Sequence, residues 1–86
     1  MYSVQTAPRA ARFFQEADPA LQRKLDRCIE QLKADPRRHP NIKPLKGTLS
    51  GYWRFRAGDY RIVYWIDDRN GIVYVDKIAH RSQVYG

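Results

Sequence analysis

The chain has one cysteine, Cys28, so it can form no internal disulfide, and a reducing compartment suits it. Cys28 also falls on the apolar stripe of a helix, where packing is its expected role. No apolar run approaches the roughly 20 residues that span a bilayer. The first residues offer no apolar stretch of the kind a secretion signal needs. These absences predict a soluble, cytoplasmic protein with no membrane partner. Histidine is scarce too: His39 and His80 stand far apart, and with a lone cysteine they give no zinc-site spacing. Neither a metal nor any other cofactor is expected. A glycine-rich phosphate loop and a GxSxG elbow are both missing.

What is present is basic and aromatic. The 86 residues suffice for one domain, 1–86, with a modest core, and two Trp, six Tyr and three Phe supply core material. The net charge is +7, unevenly spread. Residues 1–36 carry six basic and five acidic side chains, and residues 37–86 carry ten and four. Between Arg37 and Arg61 there are seven basic groups and one acid, Asp59. Such a field attracts polyanions, nucleic acid first among them, and would also suit an acidic protein partner.

Tyr2 to Thr6 reads as a first strand. Thr6 is the expected cap of a helix running to about Glu16, with Pro8 in its first turn. Asp18-Pro19 starts a second helix. Leu21, Leu25, Cys28, Ile29 and Leu32 form one apolar stripe along it, and Asp35-Pro36 ends it. Residues 36–51 hold three prolines and two glycines and read as a connecting loop, with His39 facing solvent. Strands are expected at Tyr52–Arg56, Tyr60–Ile66 and Ile72–Ala79, joined by Ala57-Gly58-Asp59 and by a turn ending in Asn70-Gly71. Asp67 and Asp68 read as turn formers. Residues 80–86 form a tail. The order β-α-α-β-β-β predicts an α+β fold, with a helical hairpin on one face of a mainly antiparallel sheet. The other face stays partly open, and a site is expected there or at its rim.

Arg54 and Arg56 lie two residues apart and share a strand face. With Trp53 and Phe55 toward the helices, both arginines point to the open side, and Arg61 approaches across the tight turn. Guanidinium forks bind phosphate oxygens and stabilise the extra charge of a phosphoryl-transfer transition state. A row of solvated or ion-paired strand residues is the plainer alternative. Tyr85 either plugs a core gap or stacks on a base. His80 is either a structural strand-end histidine or a general acid or base. Glu16 and Glu30, both on predicted helices, offer His80 no convincing partner. Without a metal site, a nuclease here would need RNA, whose own 2′-OH can attack the neighbouring phosphate.

The run Leu45-Lys46-Gly47, then Gly51-Tyr52-Trp53-Arg54-Phe55-Arg56-Ala57-Gly58-Asp59-Tyr60-Arg61-Ile62-Val63-Tyr64, resembles the core pattern of the RelE/ParE toxin superfamily. The ending Ile78-Ala79-His80-Arg81-Ser82-Gln83-Val84-Tyr85 is similar to its tail. The likeness implies a RelE-like fold and a type II toxin that cleaves messenger RNA in the ribosomal A site, held silent by a RelB-like antitoxin. Promoter DNA would be met only through that antitoxin. Carried over by position, the catalytic set is Arg61, Arg81, Tyr85 and Arg54, the last where a lysine is common. Arg56, Lys46, Lys43 and His80 would contact RNA. The implied products are a 2′,3′-cyclic phosphate and a 5′-OH. A ParE-like inhibitor of DNA gyrase is the competing reading, and an inactive basic binding module is the third.

Overall fold

Two prolines and one aspartate set where the helices begin. The computed structural model describes residues 1–85. β1 (Ser3–Thr6) leads into α1 (Pro8–Glu16), and α2 (Pro19–Ala34) follows after a two-residue break. Pro8 and Pro19 each sit at a helix start, where a missing N–H costs nothing. The Asp18 carboxylate accepts from the Leu21 amide at 2.9 Å, capping α2. Thr6 does not cap α1. It is held in the sheet opposite Val75, so Ala7 takes the cap position with no side-chain bond.

The chain then forms β2 (Ile42–Pro44), a 3-10 turn (Gly47–Leu49), β3 (Trp53–Ala57), β4 (Tyr60–Asp67) and β5 (Ile72–His80). The five strands lie in the order β1-β5-β4-β3-β2. Only β1 and β5 run parallel; the other pairs are antiparallel. β2 is the strand missing from the expected order. It has three residues and ends on Pro44, and a sheet edge tolerates a proline that has no N–H to give. The tail reading included Gly86, which lies outside the described residues.

The helices cover one face. Leu25, Cys28 and Leu32 of α2 and Ala10 of α1 are buried against Phe55, Ile62, Tyr64, Val73, Val75 and Ile78. Burial pushes the Cys28 thiol above its ordinary pKa, which suits packing rather than nucleophilic attack. The Tyr64 hydroxyl donates to the Pro36 carbonyl at 2.6 Å inside this core. That bond ties the end of α2 to the central strand, and burial raises the phenol's pKa. The opposite face carries a much smaller core, in which Val63, Ala79 and Val84 are buried with Leu45 and Tyr52 against them.

Two residues depart from their sequence reading. His39 is half-buried rather than solvent-facing: its ring lies 4.9 Å from that of Phe55, and its Nδ1 accepts from the Asn41 amide at 3.0 Å. Asp67 forms the turn as expected, accepting from the Asn70 amide and side chain. Asp68 does more, since it accepts both Arg37 Nη atoms at 3.0 and 2.7 Å and the Tyr2 hydroxyl at 2.6 Å. It thereby ties β1, the end of α2 and the β4–β5 turn together.

Two tests follow from this packing. Tyr64→Phe should cost about 1–2 kcal/mol in urea denaturation, because it leaves a buried carbonyl without its donor. Arg37, then Tyr2, hold the Asp68 carboxylate down at about 2. A depressed folded pKa adds stability above the ordinary value and loses it as pH falls. Asp68→Asn should therefore flatten the acid dependence of the melting temperature between about pH 3.8 and about pH 2.

Candidate functional site

The site is organised by the two-residue turn Gly58-Asp59. Gly58 has φ +62°, the left-handed value that favours glycine at the first position of such a turn. A Cβ there would meet Lys24 Nζ at 3.0 Å. The turn fixes the pairing of Arg56 with Arg61 and of Arg54 with Val63. On the other flank Lys43 pairs with Arg54. Directly opposed strand residues place their Cβ atoms about 5 Å apart. Lys43, Arg54, Arg56 and Arg61 therefore share the sheet face that the helices leave uncovered.

Like charges so close repel, and backbone carbonyls hold them in place. Arg61 Nη1 donates to the carbonyls of Gly58 and Tyr60 at 2.9 and 3.0 Å. Arg54 Nη1 donates to the Asn41 carbonyl at 3.0 Å. Burial, and then the charges of Arg54 and Arg56, pull the Arg61 guanidinium below its ordinary pKa, with a smaller part from Arg81. The Tyr85 phenol acts in the opposite sense. Arg61 thus feels every other residue of the predicted catalytic set at once.

The tail supplies two of those residues. The Arg81 amide donates to the Asp59 carbonyl at 2.7 Å, pinning the tail to the turn. Its guanidinium lies 3.9 Å from the Asp59 carboxylate, and both side chains are about two-thirds exposed, so that pair is weak. Val84, not Tyr85, plugs the small core: it is 4% exposed, whereas Tyr85 is 54% exposed. Core burial thus leaves the phenol free. Lys77 was not singled out by sequence reasoning, yet its Nζ donates to the Val84 carbonyl at 2.8 Å and fixes the tail. Strand alternation counted back from Ala79 was the available signal.

Two predicted contacts stand apart from this group. His80 lies on the helix side, with its ring edge-on to Tyr60 at 5.5 Å and its Nδ1 2.8 Å from the Ser82 hydroxyl. It shares a cleft with Phe13, Glu16, Leu21 and Gln83, away from the arginine surface. Its RNA-contact role therefore has no geometric support, because β5 alternation turns Ala79, not His80, toward the site. Lys46 is exposed at the start of the 3-10 turn, outside the paired strands. Among the described residues, no three His, Cys, Asp or Glu side chains gather closely enough to hold a metal ion. No helix among them is long and apolar enough to cross a membrane.

The chain resembles known proteins. The family described as ParE toxin of type II toxin-antitoxin system, parDE, matches residues 4–85. The chain belongs to the RelE/ParE toxin superfamily. This RelE/ParE toxin is 33% identical over 86 residues to Toxin RelG of Mycobacterium tuberculosis (strain ATCC 25618 / H37Rv), covering 98% of this chain and 95% of RelG. It is 35% identical over 65 residues to Toxin YoeB of Synechocystis sp. (strain ATCC 27184 / PCC 6803 / Kazusa), covering 71% and 73% of the two chains. Among solved structures it is similar to the toxin-antitoxin complex RelBE2 from Mycobacterium tuberculosis. The TM-score there is 0.80 at 28% identity, covering 93% of this chain and 98% of that one. The predicted α+β, RelE-like fold is thereby shown.

The Lys77 contact yields a direct test. Lys77→Met keeps the side-chain stem but removes the charged donor. Amide exchange at Gln83 and Val84 should then quicken about tenfold, while the melting temperature moves little.

Proposed function

We propose that this RelE/ParE toxin cleaves messenger RNA in the ribosomal A site without a cofactor. The observation that carries the reading is the convergence of Arg54, Arg56, Arg81 and Tyr85 around Arg61, with Lys43 beside them. Four guanidiniums with one weak carboxylate contact have charge to spare for a phosphate.

The chemistry is phosphoryl transfer within the RNA. The substrate's 2′-oxygen forms a bond to phosphorus, the bond from phosphorus to the 5′-oxygen breaks, and a 2′,3′-cyclic phosphate and a 5′-OH result. Arg61, fixed by two carbonyls, stabilises the added charge on the nonbridging oxygens. Arg54 and Arg56 hold neighbouring phosphates. Tyr85 orients the 2′-OH or takes its proton, and Arg81 stabilises or protonates the departing oxygen. An arginine is a poor proton donor at neutral pH, so positioning and charge carry much of the rate. The ribosome helps to position the message, and activity on naked RNA is accordingly weak.

The cognate partner is a RelB-like antitoxin with an acidic or amphipathic segment that covers the charged face. The solved RelBE2 complex is a toxin bound to its antitoxin, which supports this partner. Promoter DNA is contacted by the antitoxin rather than by this chain, and the complex is cytoplasmic.

A second reading has its own support, since the matching family is described as ParE toxin. That reading is non-nucleolytic inhibition of DNA gyrase. Primer extension on a reporter transcript after induction in a bacterium separates the two. Cuts within translated codons support RNA cleavage; intact messages with inhibited gyrase supercoiling refute it.

The same assay tests the residues. Arg61→Ala should lower cleavage by about 10²–10³-fold, the scale of one lost charge-stabilising donor. Arg81→Ala and Tyr85→Phe should each relieve toxicity in a protein that circular dichroism shows to be folded. Full toxicity in either variant would remove that residue from the site.

A further inference from the structure

β5 contains a bulge that the reaction described above does not use. Val63 pairs with Lys77 but Tyr64 pairs with Val75, so Asp76 is an extra residue with no partner across the ladder. Bulges re-aim side chains and recur beside active sites. Here Asp76 and Lys77 both line one hollow of about 180 Å³.

The hollow has a mixed lining. Leu49, Val63 and Val84 supply its apolar part, and Arg9, Asp76 and Lys77 its polar part. Tyr85 lines it as well, and Tyr85 is within the field of Arg61. Val63, which lines the hollow, also pairs with Arg54, so the hollow borders the proposed reaction centre. Arg9 holds the carboxylate in place: its Nη2 donates to Asp76 Oδ2 at 2.8 Å and its Nε to the Asp76 carbonyl at 3.0 Å. Asp76 Oδ1 has no hydrogen-bond partner among the described residues. Apolar side chains beside one free acceptor complement a heterocyclic base that carries an N–H donor.

We propose that this hollow receives the nucleobase adjoining the scissile linkage, and that Asp76 selects an amino-bearing base over uracil. The inference rests on the RNA-cleaving reading and adds base recognition to it. A carboxylate accepts from the amine at cytosine N4, where uracil presents a carbonyl that repels it. Lys77 and Arg9 supply donors for the acceptors on the same base. The valine and leucine side chains exclude water from the ring, and Tyr85 offers an aromatic face for stacking.

Cytidine 3′-monophosphate and uridine 3′-monophosphate differ at that one edge group, so they serve as paired probes. The full chain is titrated with each while the methyl resonances of Leu49, Val63 and Val84 are followed. Cytidine should bind about tenfold more tightly and shift those methyls. Asp76→Asn, which still accepts from Arg9, should bring the two affinities within about twofold. Equal binding by the unmodified chain, shifts confined to other regions, no binding of either nucleotide, or a preference that survives in Asp76→Asn would each overturn the proposal. Asp76→Ser provides a second variant with the same expected loss of preference. Cleavage is scored separately by primer extension. A base preference without cleavage would sink the ribonuclease reading alone, and cleavage without a base preference would sink this one alone.

Discussion

Mutual repulsion among four guanidiniums on one sheet face is the interaction that the rest of this structure has to withstand. Burial weakens the protonated form of Arg61, and the charges of Arg54, Arg56 and Arg81 add to that effect. A fold could relieve that by placing carboxylates among them, but then the face would be neutral and of little use to an anion. Instead the carbonyls of Gly58, Tyr60 and Asn41 accept from the arginines, lending partial negative charge without a full one. One carboxylate, Asp59, stands 3.9 Å from Arg81, and two others are engaged by other cations. Asp68 is taken by Arg37 and Tyr2, and Asp76 by Arg9. The charge that remains is an unspent attraction for phosphate.

The two sides of the sheet divide the work of stability and the work of binding. On the helix side, Leu25, Leu32, Ile62, Tyr64, Val73 and Val75 are almost wholly buried and hold the fold. On the other side, three small buried residues suffice to seat the tail. Removing a fully buried leucine from the first core would cost about 2–5 kcal/mol, whereas the tail rests on one valine, the Lys77 ammonium and two backbone bonds. Arg81 and Tyr85 are thus carried by the more weakly held part of the molecule.

Much of this was legible in the sequence, and the exceptions have physical causes. Strand alternation put Arg54 and Arg56 on the open side because Phe55 had to be buried, and the Gly-Asp turn brought Arg61 opposite them. The Asp18-Pro19 cap and the α2 stripe were readable because local chemistry decides them. β2 was hidden because three residues ending in proline carry no pattern of their own; only the edge of β3 makes them a strand. Thr6 lost its capping role to a ladder with β5, nearly the length of the chain away. The side His80 takes was not readable, because it closes β5 rather than opening the tail and the bulge at Asp76 interrupts the strand's alternation. The Arg37–Asp68–Tyr2 cluster joins three distant segments, and no local spacing announces it.

The parallel pairing of Ser3–Thr6 with Ile72–Val75 also sets a timetable for synthesis. The first strand has nothing to dock against until the last long strand has emerged, so the sheet closes late. Arg81 and Tyr85 come later still. The cationic face is therefore completed only after the sheet that carries it, when the Arg81 amide reaches the Asp59 carbonyl.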